Sequence, residues 1–97
     1  MKDQQFEWDD NKATKVLNKH NIDFEDMVQI FEGQQFIYQS DQNGEVRWTT
    51  VGILEEQFFA VIYTMRGDVI RLITARRARE NEKREYYKSY PENSGQG

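Results

Sequence analysis

The amino-acid sequence predicts an α+β domain in the order β-α-α-β-β-β-β-α, an antiparallel meander sheet packed by an N-terminal helix hairpin. Three observations carry that expectation. Apolar residues between positions 10 and 31 recur at helical spacing and are bounded by capping residues. From position 36 to 74 the pattern switches to short extended runs separated by turn signals. Residues 75–87 contain no Gly, Pro or β-branched residue and return to good helix formers. Helices before and after a run of strands are the mark of a layered α+β domain.

Each element has a local reason. Phe6 and Trp8 alternate with Glu7, so Gln5–Trp8 reads as a short strand. Asp9 is a natural N-cap for a helix over residues 10–19, whose stripe is Ala13, Val16, Leu17 and His20. Lys12, Lys15 and Lys19 decorate that helix, and Asn21 stops it. Asp23 caps a second helix carrying Phe24, Met27, Val28, Ile30 and Phe31, ended by Gly33. Phe36–Gln39 is extended, and Asp41-Gln42-Asn43-Gly44 is a hairpin turn into a strand over residues 45–51. Residues 52–57 connect to Phe58–Met65, a nearly continuous apolar run expected at the centre of the sheet. Arg66-Gly67-Asp68 turns into Val69–Thr74, which is expected to pair antiparallel with 58–65 and to bury Val61, Ile62 and Leu72. The last helix is expected over residues 75–87. It is poor in apolar residues apart from Ala78, Tyr86, Tyr87 and Tyr90, so its docking should be weak or completed by a partner packing on those tyrosines. Residues 1–88 form one domain, and residues 89–97 read as a flexible tail.

Composition narrows the function. There is no cysteine and one histidine, which excludes thiolate sites and argues against a catalytic zinc centre, so no metal or cofactor is expected. No signal-peptide core is present, and the longest apolar run is far too short to span a bilayer, so the expected location is the cytoplasm, away from membranes. Net charge is −4, but it is unevenly spread. Residues 1–65 carry 5 basic and 12 acidic side chains, residues 66–88 carry 8 basic and 4 acidic. A focused basic site on an acidic body suits a polyanion bound locally, or a charged protein partner.

Arg76, Arg77 and Arg79 fall where the strand is expected to give way to the helix. Guanidinium forks bind phosphate bidentately and stay charged. The expected arginines are exposed, so truncating Arg76 or Arg77 should leave stability nearly unchanged. Glu82 follows one to two turns later. It is either a simple partner for Arg79 or a carboxylate beside a phosphate-binding corner, able to take a proton from a ribose 2′-hydroxyl. His20 is read first as structural, with a phosphate contact as the second reading.

The string Phe6-Glu7-Trp8-Asp9 with Lys12, then Lys19-His20 with Ile22, Phe24 and Glu25, then Tyr63-Thr64 with Arg66, then Arg71 with Ile73-Thr74-Ala75-Arg76-Arg77-Ala78, then Glu82 and Tyr86, resembles the BrnT family of bacterial type II toxins over residues 6–87. The resemblance implies a RelE/ParE-like fold, a metal-independent ribonuclease that arrests translation, and a BrnA-type antitoxin that carries the DNA-binding domain and brings the complex to its operator. Two positions depart from the family pattern. Val16 stands where a polar residue is expected, and Lys83 where Arg usually follows the Glu. They bear on the strength of nuclease activity and not on the fold. Under this reading Arg71, Arg76 and Arg77 stabilise charge at phosphorus while Lys12 or Glu82 handles a proton. Lys19, His20, Arg47, Arg66 and Lys83 complete the RNA contacts. The alternatives are a partner-binding module without chemistry, or a nucleic-acid-binding module with attenuated nuclease activity.

Overall fold

The computed structural model describes residues 3–93. Five strands form one sheet: β1 (Gln5–Trp8), β2 (Phe36–Gln39), β3 (Trp48–Leu54), β4 (Gln57–Arg66) and β5 (Val69–Arg77). Their spatial order is β1-β5-β4-β3-β2. Strands β2 to β5 are antiparallel neighbours, and β1 joins the far edge parallel to β5. Helix α1 (Asp10–His20) and the short α2 (Phe24–Met27), continued by a 3-10 turn over Val28–Glu32, cover one face. Helix α3 (Glu80–Ser89) covers part of the other. No helix among the described residues is long and apolar enough to cross a membrane.

Local signals set most boundaries. Asp9 accepts from the N–H groups of Asn11 and Lys12 at 2.8 and 3.2 Å, and Asn21 closes α1 in the left-handed region at φ 58°. Asp23 caps α2 through Glu25 N–H at 2.9 Å. The second helix is shorter than expected, because the chain tightens to 3-10 geometry after Met27. Asn43 and Gly44 both take positive φ, as a tight hairpin turn requires. Strand β3 starts three residues later than expected, since Glu45 pairs back with Gln42 inside that turn. It also runs on to Leu54, leaving Glu55 and Glu56 as a two-residue turn, both at positive φ.

Two cores flank the sheet. Beneath α1 and α2 lie Val16, Ile22, Phe24, Met27, Ile30, Phe59, Val61, Tyr63, Ile70, Leu72 and Ala75. Val61 and Leu72 are buried as expected, whereas Ile62 is only half-buried. Beneath α3 lie Val51, Ala60, Ala78 and Tyr86 with Phe58, Tyr87 and Tyr90. The expectation of a weakly docked last helix is corrected here. Its tyrosines stack among themselves and on Phe58 with centroids 5.0 to 6.1 Å apart. Tyr90 also donates its hydroxyl to the Gln35 carbonyl at 2.7 Å. Folded structure thus continues past residue 88, and residues 94–97 of the expected tail lie outside the described residues.

The largest shift concerns the joint between strand and helix. Ala75, Arg76 and Arg77, expected to open the helix, instead pair with Val61, Ala60 and Phe59 and prolong β5. Non-local sheet pairing outweighs a helix preference of a few tenths of a kcal/mol per residue. Arg79 becomes the N-cap residue of α3, in extended conformation.

Gly52 shows how closely the layers approach. A Cβ built there would lie 2.7 Å from Cγ2 of Ile30, a stiff β-branched side chain in the core. Gly52→Ala is therefore expected to destabilise by about 1–3 kcal/mol. A thermal melt should show a loss of roughly 5–20 °C. Adding Ile30→Ala should cost less than the two changes summed, and strict additivity would show that the contact is not the cause.

Candidate active site

A β-bulge decides which side chains meet. Tyr63 lies opposite Leu72 and Ile62 opposite Thr74, which leaves Ile73 as the extra residue of β5. Leu72 and Ala75 are three apart yet both enter the core under α1 and α2. Arg71 and Arg76, five apart, consequently share the opposite face. Without the bulge they would point to different sides of the sheet.

Arg71 stands beside Thr64 on that face, on the half that α3 leaves open. Its guanidinium donates to Glu7 Oε2 at 3.1 Å, and Arg66 donates to the same oxygen at 3.1 Å. Glu7 is the register neighbour of Arg71 on β1, so the pair is built into the sheet. Arg47 is held by Glu45 at 2.8 Å and by the Gln42 side-chain oxygen at 3.0 Å. These arginines, together with Lys12, Asp9 and Thr64, line an open cleft of about 400 Å³. Lys12 enters from the first turn of α1, which Asp9 fixes. Four cations thus converge, with carboxylates behind and beside them that hold the guanidiniums in place. Such a cleft can bind a phosphate and stabilise charge that develops on it.

Arg76 lies farther along the same face, and Glu82 comes down on it from α3. The two form a bidentate pair, Nη1 to Oε1 and Nη2 to Oε2, at 2.8 Å each. Oε1 also accepts from Arg79 N–H at 2.8 Å, the Glu82 half of a capping box, and Oε2 accepts from the Tyr38 hydroxyl. Glu82 is 2% exposed and the Arg76 side chain 21%. Burial alone would raise the Glu82 carboxyl, but the Arg76 guanidinium, the Arg79 N–H and the Tyr38 hydroxyl outweigh it and bring it down to about 2. Burial and the bond to Glu82 push the Tyr38 hydroxyl up, so it stays a donor. The expected partner Arg79 meets Glu82 only through its backbone. Arg76, expected to be an exposed corner residue, is instead the counter-charge of a buried acid, so truncating it cannot be neutral for stability.

The remaining candidates scatter. Arg77 returns to the α1–α2 face, with its guanidinium 5.1 Å from the Phe59 ring centroid in a recess that Asp23, Asp26 and Glu55 also line. It does not join Arg71 and Arg76. Lys83 pairs with Glu80 at 3.2 Å on α3 and lies over the Phe58 ring. Lys19 and His20 line a separate groove along α1, which shares Lys12 with the cleft. Val16 is buried in the core, which accounts for an apolar residue at that position. Glu7 and Tyr38 were missed as site residues. An acid in the middle of a short apolar strand was the available signal for Glu7; nothing local marks Tyr38. Among the described residues no group of three or more His, Cys, Asp or Glu is arranged to hold a metal ion.

Comparison with known proteins adds the family. The model described as ribonuclease toxin, BrnT, of type II toxin–antitoxin systems matches residues 8–82. The crystal structure of the Brucella abortus ribonuclease toxin BrnT, at 1.1 Å resolution, is similar, with a TM-score of 0.67 and 22% sequence identity over 80% of this chain and 100% of that one. At that identity the likeness speaks for the fold. A search of curated proteins finds no match.

The Glu82 network generates a pH prediction. The folded carboxyl sits at about 2 against an ordinary 4.5. Because the folded value is the lower one, the stabilisation is complete above pH 4.5 and is lost as pH falls through 2. It is on the order of 3 kcal/mol at neutral pH. Glu82→Gln should lower the melting temperature by more than about 10 °C at pH 7. Its stability should also fall less than the wild type's between pH 4.5 and 2, as read by urea unfolding. Equal slopes for the two proteins would show that Glu82 is not held low.

Proposed function

The chain belongs to the BrnT family of ribonuclease toxins of type II toxin–antitoxin systems, and on that premise we propose that it is a metal-independent endoribonuclease that arrests translation and is restrained by a BrnA-type antitoxin. The observation that carries the proposal is the cleft in which Lys12, Arg47, Arg66 and Arg71 converge. Its chemistry suits attack of a ribose 2′-hydroxyl on the adjacent phosphate. The O2′–P bond forms, the P–O5′ bond breaks, and a cyclic phosphate and a free 5′-hydroxyl result. Arg71, pre-positioned by Glu7, stabilises the charge on the equatorial oxygens, with Arg47 and Arg66 holding the flanking phosphates. Lys12 protonates the leaving 5′ oxygen, and the 2′ proton departs to solvent through the open cleft. Arg76, its charge balanced by Glu82, stands outside the cleft lining and ties β5 to α3. Glu82 holds Arg76 and takes no proton, since both its oxygens are already used. Arg77, on the opposite face, stands outside this set.

The mixed α+β sheet fits a RelE/ParE-like toxin, and the cytoplasm is where its RNA target is met. The acidic body over residues 1–65 disfavours direct binding to DNA, so operator DNA is reached only through the antitoxin. One observation favours the weaker reading of a binding module with attenuated activity. Arg47, Arg66 and Arg71 each already face a carboxylate, which an incoming phosphate must outcompete.

The test is purified protein incubated with a structured RNA, with and without EDTA. Cleavage that survives the chelator and leaves a cyclic phosphate end is expected. Arg71→Ala should slow it about 10²–10³-fold. The melting temperature should hold within a few degrees, because the lost pair with Glu7 is partly exposed. Cleavage that needs added Mg²⁺ would overturn the metal-independent mechanism, and binding without cleavage would establish the attenuated module instead.

A further inference from the structure

The first strand covers only half of its neighbour. Gln5–Trp8 pairs with Val69–Leu72, whereas β5 continues to Arg77. Among the described residues no strand lies on the β1 side of β5 from Ile73 onward, while β4 stays paired on the other side. Helix α1 packs on β5 through Val16. Between them runs a groove of about 290 Å³ lined by Lys12, Lys15, Lys19 and His20, with Val16, Ile73 and Thr74 at its base. The three lysines stand on one side of α1 and span about 10 Å. Every ion pair found among the described residues leaves them out.

The lining says what fits. No Phe, Tyr or Trp ring and no arginine faces the groove, and its one ring is the imidazole of His20. Single-stranded RNA is gripped by stacking platforms and by guanidinium forks, and the forks are in the neighbouring cleft. An aliphatic floor, lysine stems and an uncovered strand edge suit an extended peptide. Its backbone can pair with a free edge, while alternate residues point to the floor and to the ammonium groups. We propose that this groove receives an extended acidic segment of a protein partner, with acidic side chains on Lys12, Lys15 and Lys19 and small apolar ones on Val16 and Ile73. Lys12 lines both groove and cleft, so an occupied groove withdraws it from the cleft. That consequence rests on the catalytic reading of the cleft; the binding itself does not.

The experiment uses the full chain labelled with ¹⁵N and two probes, each added alone. One is the acetylated peptide Glu-Val-Glu-Val-Glu-Val-Glu, with a version carrying Lys for Glu as control. The other is a 2′-O-methyl RNA decamer, which cannot be cleaved. The acidic peptide is expected to shift the amides of residues 12–20 and 73–76, and the control peptide to shift none. Lys15→Glu should weaken the acidic peptide more than about tenfold at low salt, since a like charge then faces its carboxylates. Lys15 is not assigned to the cleft, so RNA cleavage by this variant should stay within about twofold of wild type, and it should resist inhibition by the peptide. Peptide affinity unchanged by Lys15→Glu would overturn the proposal. So would shifts at residues 15–20 and 73–74 caused by the RNA and not by the peptide. A wild-type chain that cleaves no RNA would defeat the catalytic reading alone, because the shift map still decides who occupies the groove.

Discussion

A carboxylate that is 2% exposed stays ionised only if its lone pairs meet donors, and Glu82 meets four. Two come from Arg76 on β5, one from the Arg79 backbone at the start of α3, and one from Tyr38 on β2. These groups belong to the edge strand β2, to β5 three strands away, and to the helix lying across the sheet. Removing any one leaves a charge or a donor stranded, which costs far more than the net worth of an exposed pair. The aromatic stack of Phe58, Tyr86, Tyr87 and Tyr90 supplies the apolar part of the same contact. The stack is non-directional in comparison, so the ion pair sets where α3 begins and how far over the sheet it reaches.

That reach leaves the other half of the face open, and the bulge at Ile73 populates it. One extra residue places Arg71 and Arg76 on one side and sends Arg77 to the other. Arg71 then meets Glu7 across the parallel β1–β5 pairing, and Arg47 and Lys12 arrive from a hairpin and a helix start. Each cation in the cleft is thus rooted in regular structure or in a capped turn. Pre-positioning of this kind lets a site favour developing charge without reorganising. Arg76 has its guanidinium committed to Glu82, and the pair stands outside the cleft lining.

Much of this was legible in the residues because the signals were local. Asp9, Asn21 and Asp23 cap where their chemistry says they should, and Asn43-Gly44 turns the chain as expected. The antiparallel pairing of β4 and β5 followed from their apolar patterning and the intervening glycine turn. Lys12, Arg66 and Arg71 do share a cleft. What escaped depends on contacts distant in sequence. Ala75-Arg76-Arg77 carry helix-forming side chains and become strand only because Phe59–Val61 stand ready to pair. The bulge leaves no mark in composition, so which of Arg76 and Arg77 shares a face with Arg71 could not be read. Tyr38 and Glu82 lie 44 residues apart. The last helix is poor in apolar residues, and its docking rests on Tyr86 and Tyr87 stacking on Phe58, a contact its own composition does not show.

Glu82 is a fixed anion that holds Arg76. A ¹³C NMR titration of the Glu82 carboxyl carbon in the folded chain tests this most directly. A midpoint near 2, with no step between pH 4 and 8, is the expected result. A midpoint of about 6–7, the range to which a catalytic carboxyl is tuned, would contradict it and return Glu82 to the role of proton carrier.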